Sequence, residues 1–291
     1  MKNLWSYLLL ILILGVFVVV AQPWAEPSGY SGLITGLVIF VGLVLLCLFG
    51  LILWNYIHYQ PHKNPFRDGP ISHFIHRKKR IKYNEIATIL TENDPERFLL
   101  ETDAFLKEEN LPKGLTRIAS DNRAVAYLQA GRTKQALAIW EQAAKDEEKL
   151  REIHKHKDEE VKAIIHHNLC IAYLENNQLV HARKHYDIVT EMQNSKHLGK
   201  GLKAWFQEEF LDIDAMFLLA EEQYETARVA YQKLLQEGEP AKMFGRHFDL
   251  ANIYEKLGDT EKQKEHLEQV VALGNKHYKA KIAQDKLAEL N

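Results

Sequence analysis

Histidine is the residue type with most chemical capacity in this sequence, with fourteen copies in 291 residues. His181 and His185 stand four apart, a spacing that on a helix turns both imidazoles to one side and can hold a metal ion. His58/His62 and His73/His76 make further close pairs, and His166-His167 lie beside Cys170. No carboxylate or cysteine completes a ligand set around His181 and His185, although Asp187 is near in sequence. The expectation is therefore ordinary surface or turn imidazole, with no metal and no cofactor; a histidine-using metal or haem carrier is the alternative. Catalysis has no motif behind it. The chain holds no phosphate loop, no Gly-x-Ser-x-Gly, no His-Glu-x-x-His and no Cys-x-x-Cys, so a non-enzyme is expected.

The elements carrying these residues divide sharply by hydropathy. Two apolar runs without a charge, residues 4–21 and 33–57, each reach the roughly 20 residues that cross about 30 Å of hydrocarbon. The second closes on Trp54, Tyr56 and Tyr59, an interfacial aromatic belt. Residues 1–60 thus read as a transmembrane hairpin, with a cleaved signal peptide ending at Ala21 as the alternative for the first run. The turn QPWAEPSGYSG lacks Lys and Arg, whereas Arg77, Lys78, Lys79, Arg80 and Lys82 follow the second run. The positive-inside rule then puts both ends in the cytoplasm of an integral plasma membrane protein, a bacterial cytoplasmic membrane by architecture. The same five residues suit anionic head groups. Only Phe74 and Tyr83 could stack on bases nearby, so nucleic acid is set aside. Residues 61–82, opening with three prolines and a glycine in QPHKNPFRDGP, are expected as a basic juxtamembrane linker.

From residue 83 to 291 the pattern is all-α, helix and turn without a strand. Four segments superimpose: 123–140, 169–186, 214–231 and 250–267. Each has an apolar first helix, a polar turn, then a second helix in which an apolar residue follows a small one. Tyr127, Gly131, Ala136, Trp140 and Ala143 mark the first, and Leu169, Tyr173, Ala182 and Tyr186 the second. Leu218, Ala227 and Tyr231 mark the third, and Leu250, Ala251, Tyr254, Gly258 and Leu267 the fourth. On these residues the chain resembles the tetratricopeptide repeat (TPR) family over about 117–275. The resemblance implies a TPR-like α-solenoid behind the two transmembrane helices, and a membrane-anchored adaptor or scaffold that binds partner proteins or peptides.

The sequence departs from that family in spacing. The repeat is about 34 residues in the family, whereas the intervals between Ala136, Ala182, Ala227 and Gln263 are all longer. Lengthened helices are expected, and the Gly- and Pro-free run 144–163 reads as one of them, a spacer or a docking surface. Residues 94–110 and 83–91 are expected as a divergent first hairpin. Aligning the units with the family directs Asp121, Asn122, Val125, His167, Asn168, Ile171, Glu209, Asp212, Ile213, Met216, Phe248, Asp249 and Asn252 to a concave face. Its four acids would suit a basic amphipathic segment. Reversing Asp212 and Asp249 to Lys is then expected to weaken capture without unfolding the array. The family members that clamp a C-terminal carboxylate use Lys and Asn where Asp121 and Val125 stand, so that ligand is not expected.

Overall fold

The computed structural model describes residues 76–154, 159–196, 198–237 and 242–290, with four helical positions between 41 and 50. The expected spans 4–21 and 33–57 and the proline-rich start of the linker thus lie outside the described residues, those four positions aside. No helix among the described residues is long and apolar enough to cross a membrane. The chain divides into two compact units, and the larger one takes in residues 74–291.

All regular structure among the described residues of this larger unit is helical: α1 (Arg77–Thr91), α2 (Pro95–Leu106), α3 (Lys113–Gln129), α4 (Thr133–His154), α5 (Glu159–Glu175), α6 (Leu179–Gln193), α7 (Lys200–Ala220), α8 (Tyr224–Glu237), α9 (Met243–Leu257), α10 (Thr260–Leu273) and α11 (Tyr278–Leu290). Helix α1 begins at Arg77, so the basic run expected as the end of the linker forms its first two turns instead. The reason is packing: Tyr83, Ile86 and Ile89, spaced by three, bury one face of α1 and draw the preceding turns into helix. Asp94 caps α2 by accepting from the Arg97 amide, with Pro95 at the first helical position. Asp259 caps α10 in the same way through the Lys262 amide.

Consecutive helices pair into five hairpins, α1–α2 through α9–α10, and α11 packs on α10. One turn geometry recurs in all five. A residue at positive φ, namely Asn93, Gly131, Asn177, Glu222 or Gly258, reverses the chain. The next amide then donates back five residues: Asp94 to Ile89, Arg132 to Tyr127, Gln178 to Tyr173, Gln223 to Leu218 and Asp259 to Tyr254. These bonds satisfy carbonyls that the helix end leaves unpaired. Nine residues after each accepting carbonyl stand Phe98, Ala136, Ala182, Ala227 and Gln263, all buried between the helices of their hairpin. Ala at three of those places lets the helix axes approach closely.

The surplus length goes into helix. α4 runs for 22 residues and α7 for 21. Within the run 144–163, α4 takes the first part and α5 the end, and residues 155–158 lie outside the described residues. Glu159 and Glu160 fall in the first turn of α5, where the positive end of the helix dipole favours carboxylates.

The array also meets itself. The Lys276 amide donates to the Asn93 carbonyl at 3.1 Å. Asn93 Nδ2 donates to the Leu273 carbonyl at 3.3 Å, and Asn275 Nδ2 to that of Glu92 at 2.7 Å. Lys276 Nζ pairs with Asp94 at 2.6 Å. From this contact the chain runs across the inner side of the hairpins. The Tyr278 ring lies against Gly131, and Lys279 Nζ reaches Glu175 at 2.7 Å. The last turn of the array is thus fastened to the first.

Candidate functional site

Three of the four acids expected on the concave face are held by the protein itself. Asp121 accepts from Trp140 Nε1 at 2.6 Å, and burial raises its pKa against that bond. Asp212 accepts two bonds from Arg246, at 2.7 Å to Nε and 2.8 Å to Nη2, and one from Lys242 Nζ at 3.1 Å. Glu209 takes the other side of Lys242 at 2.6 Å. Burial alone would raise the Glu209 pKa, but His167 and Lys242 outweigh it and hold the carboxylate below its usual range. Arg246 is buried and gives its remaining nitrogen to the Leu234 carbonyl at 2.7 Å. Asp212 is therefore one side of a nearly dry ion pair, and the expectation that its reversal leaves the array folded does not fit its surroundings.

Several other members of the set are also occupied. Asn122 donates to the Tyr83 hydroxyl at 2.9 Å, and Val125 and Ile171 pack on the central core. His167 is buried against Trp205 and Phe206. Its Nδ1 lies 3.2 Å from Asn168 Oδ1, while its Nε2 stands 3.6 Å from Glu209, beyond hydrogen-bond reach. Ile213 is buried in the core.

The rest, Met216, Phe248, Asp249 and Asn252, come together. They line a cavity of about 500 Å3 with Glu175, Tyr224, Tyr231, Tyr278 and Lys279. Helices α5, α7 and α9 supply the first-helix residues of three hairpins, α8 supplies the two tyrosines at 224 and 231, and α11 closes one side. Glu175 is used up by Lys279 and by the Tyr278 hydroxyl at 3.1 Å. Asn252 accepts from Lys286 Nζ at 3.1 Å. Asp249 is different. Burial, opposed by Lys279 and reinforced by Glu175, pushes its pKa up to about 6. Tyr231 is buried beside it, yet its hydroxyl makes no hydrogen bond of normal geometry among the described residues. The equivalent tyrosine one hairpin earlier, Tyr186, does donate to a carboxylate of the next hairpin, Asp214, at 2.6 Å. The fourth hairpin sets Tyr231 against Asp249 without a bond of that geometry.

The histidines form a pattern that helical i,i+4 spacing does not reveal. His166 and His185 bring their Nδ1 atoms to 2.8 Å, and His247 and His266 do the same at 2.8 Å. Tyr173 stacks on His185 and Tyr254 on His266. Both clusters follow the spacing His-x6-Tyr-x11-His, in the second and fourth units, and searching for that recurrence would have found them. Desolvation lowers both His185 and His266 to about 4. His181 stacks on the other cluster member Tyr173 instead of pairing with His185. No group of three or more His, Cys, Asp or Glu side chains that could hold a metal occurs among the described residues. Cys170 is buried and its thiol pushed up to about 12 by desolvation, far from a reactive thiolate.

Of the basic run, Arg77 and Lys78 are exposed at the start of α1. Lys79 donates to the Glu109 carbonyl, and Lys82 pairs with Glu108. Compared with protein-family models, with curated proteins and with solved structures, the chain matches none of them.

Proposed function

We propose that the chain is a TPR-like adaptor, anchored in a bacterial cytoplasmic membrane by its two apolar runs, that holds a segment of a partner protein at the cytoplasmic face. The observation that carries this reading is the cavity, formed where the first helices of three successive hairpins meet α8 and α11. It lies within the size range of specific binding sites, roughly 300–1,000 Å3, and its walls come from stacked repeats rather than from a catalytic constellation. Arg77 and Lys78, exposed at the head of α1, would lie against anionic head groups if residues 33–57 span the bilayer. Anchoring would raise the effective concentration of the captured partner near membrane components. The test is a photoreactive side chain at Lys256, at the cavity rim, compared with one at Val180, which is 83 % exposed and does not line the cavity. A distinct set of proteins cross-linked from 256 in intact cells supports the reading; the same set from both positions refutes it. Digestion of the helical unit by protease added outside the cells would overturn its topology.

A metal carrier is the second reading, favoured by the two matched histidine pairs. Each supplies two imidazole nitrogens, so any ion held there would keep open positions. Metal analysis of purified chain against His185→Ala and His266→Ala variants decides it: metal lost in step with each pair supports the carrier, and no metal in any form removes it.

A further inference from the structure

The charge pattern of the cavity narrows what the adaptor reading, on which this inference rests, leaves open. Besides Asp249, the other three acids of the inner side are bonded within the protein, Asp121 by Trp140. Asp212 and Glu209 are closed by Arg246 and Lys242, and Glu175 by Lys279 and Tyr278. Asp249 lines the cavity without a hydrogen bond of normal geometry from a cation of the described residues: Lys279, whose charge acts on it, donates to Glu175 at 2.7 Å. Around it stand the rings of Tyr224, Tyr231, Phe248 and Tyr278, whose electron-rich faces attract cations. The buried Tyr231 hydroxyl makes no well-formed hydrogen bond there, a defect that an incoming group can repair.

The molecule also displays the kind of contact such a cavity makes. Lys279 packs its ammonium 5.1 Å from the centre of the Phe248 ring while pairing with Glu175 at 2.7 Å. An ammonium between a carboxylate and an aromatic face is thus already present beside the cavity, and Asp249 with the Tyr231 ring lines the same cavity with no cation of the described residues hydrogen-bonded to it. Lys256 is exposed at the rim. We infer that this cavity seats a lysine side chain from the partner segment, with Asp249 as its counter-charge and the tyrosine rings as its walls.

The probe is a fluorescein-labelled peptide, acetyl-Gly-Phe-Lys-Phe-Gly-amide, beside a twin with norleucine in place of lysine, titrated by anisotropy against the full chain in mild detergent. The expected result is at least tenfold tighter binding of the lysine peptide. Asp249→Asn should erase that preference, while Glu261→Gln, on the exposed first turn of α10, should keep it. Ala220→Lys places an ammonium of the protein's own at the cavity wall and should block the peptide without altering Asp249, which keeps the test open if Asp249→Asn does not fold. Equal binding of the two peptides, no binding of either, or a preference that survives Asp249→Asn overturns the inference. So does n-butylammonium competing as well as the peptide, since the occupant would then be a free amine. Cross-linking from position 256 that captures specific partners while the peptides fail this test leaves the adaptor standing without its lysine; lysine-selective binding with no captured partner does the reverse.

Discussion

Removing the Asp212 carboxylate should unfold the array far more than it alters any surface. In Asp212→Ala, Arg246 loses two charge-assisted bonds, at 2.7 and 2.8 Å, and its side chain is only 6 % exposed. Bonds to charged groups contribute about 1.5–3 kcal/mol each, and breaking one partner out of a buried pair costs about 3–5 kcal/mol. Arg246 keeps the Leu234 carbonyl and Lys242 keeps Glu209, which places the expectation near the lower end, about 3 kcal/mol. The assay is urea unfolding of the full chain in mild detergent, followed by far-ultraviolet circular dichroism. A double variant, Asp212→Ala with Arg246→Met, supplies the control. With the orphaned guanidinium replaced by an apolar chain of similar length, it should recover about 1–2 kcal/mol relative to Asp212→Ala alone. A loss below about 1 kcal/mol for the single variant, or a double variant less stable than the single, would refute the view that this acid serves the fold.

The same contacts set three other outcomes. Glu222 holds φ of 61° where its counterparts in two hairpins are glycines, so Glu222→Gly should raise the urea midpoint, by about 1 kcal/mol in stability; an unchanged or lower midpoint would count against it. Gly131→Ala should cost about 2 kcal/mol or more, because φ is 73° and the added Cβ would sit 3.1 Å from the Tyr278 ring, and equal melting temperatures for the two proteins would contradict the placement of α11. Burial lowers His277 to about 3, and His185 and His266 to about 4. The unfolded chain binds protons at these sites that the folded chain refuses, so their contribution is complete above pH 6.5 and is lost as pH falls toward those values. Urea midpoints measured from pH 7 to pH 4 should decline throughout, and His277→Gln should flatten the decline; an identical slope in that variant would exclude His277 as a source.

What could be read from the chain was local. Gly131, Gly258 and Asn176-Asn177 announce turns by composition, and Ala136, Ala182 and Ala227 announce close helix packing, because those needs are met by single residue types. Glu221-Glu222 lacks that signal, because Glu222 takes a positive φ that its own type disfavours; only its position four residues after Leu218 marks it. Asp212 was legible as an acid near the inner side but not as half of an ion pair, because its partner lies 34 residues away on another hairpin. The cavity was half visible. Met216, Phe248, Asp249 and Asn252 emerged from aligning the repeats, while Tyr278 and Lys279 came from beyond the recognised units and carried no repeat pattern. The contact between Asn93 and Leu273 spans 180 residues, and no local periodicity can encode it.

That long-range contact changes how the molecule comes apart. A linear stack of hairpins behaves as a one-dimensional chain of neighbours whose terminal units have one interface fewer and peel away first. Here Asn93, Asp94, Asn275 and Lys276 give the first hairpin a neighbour at the other end of the sequence. The first hairpin thereby gains a polar tether to the α10–α11 turn in place of a packed helix interface. Fraying of the first hairpin must then break this tether, and the turn it holds is the one that leads into α11 and the wall of the cavity.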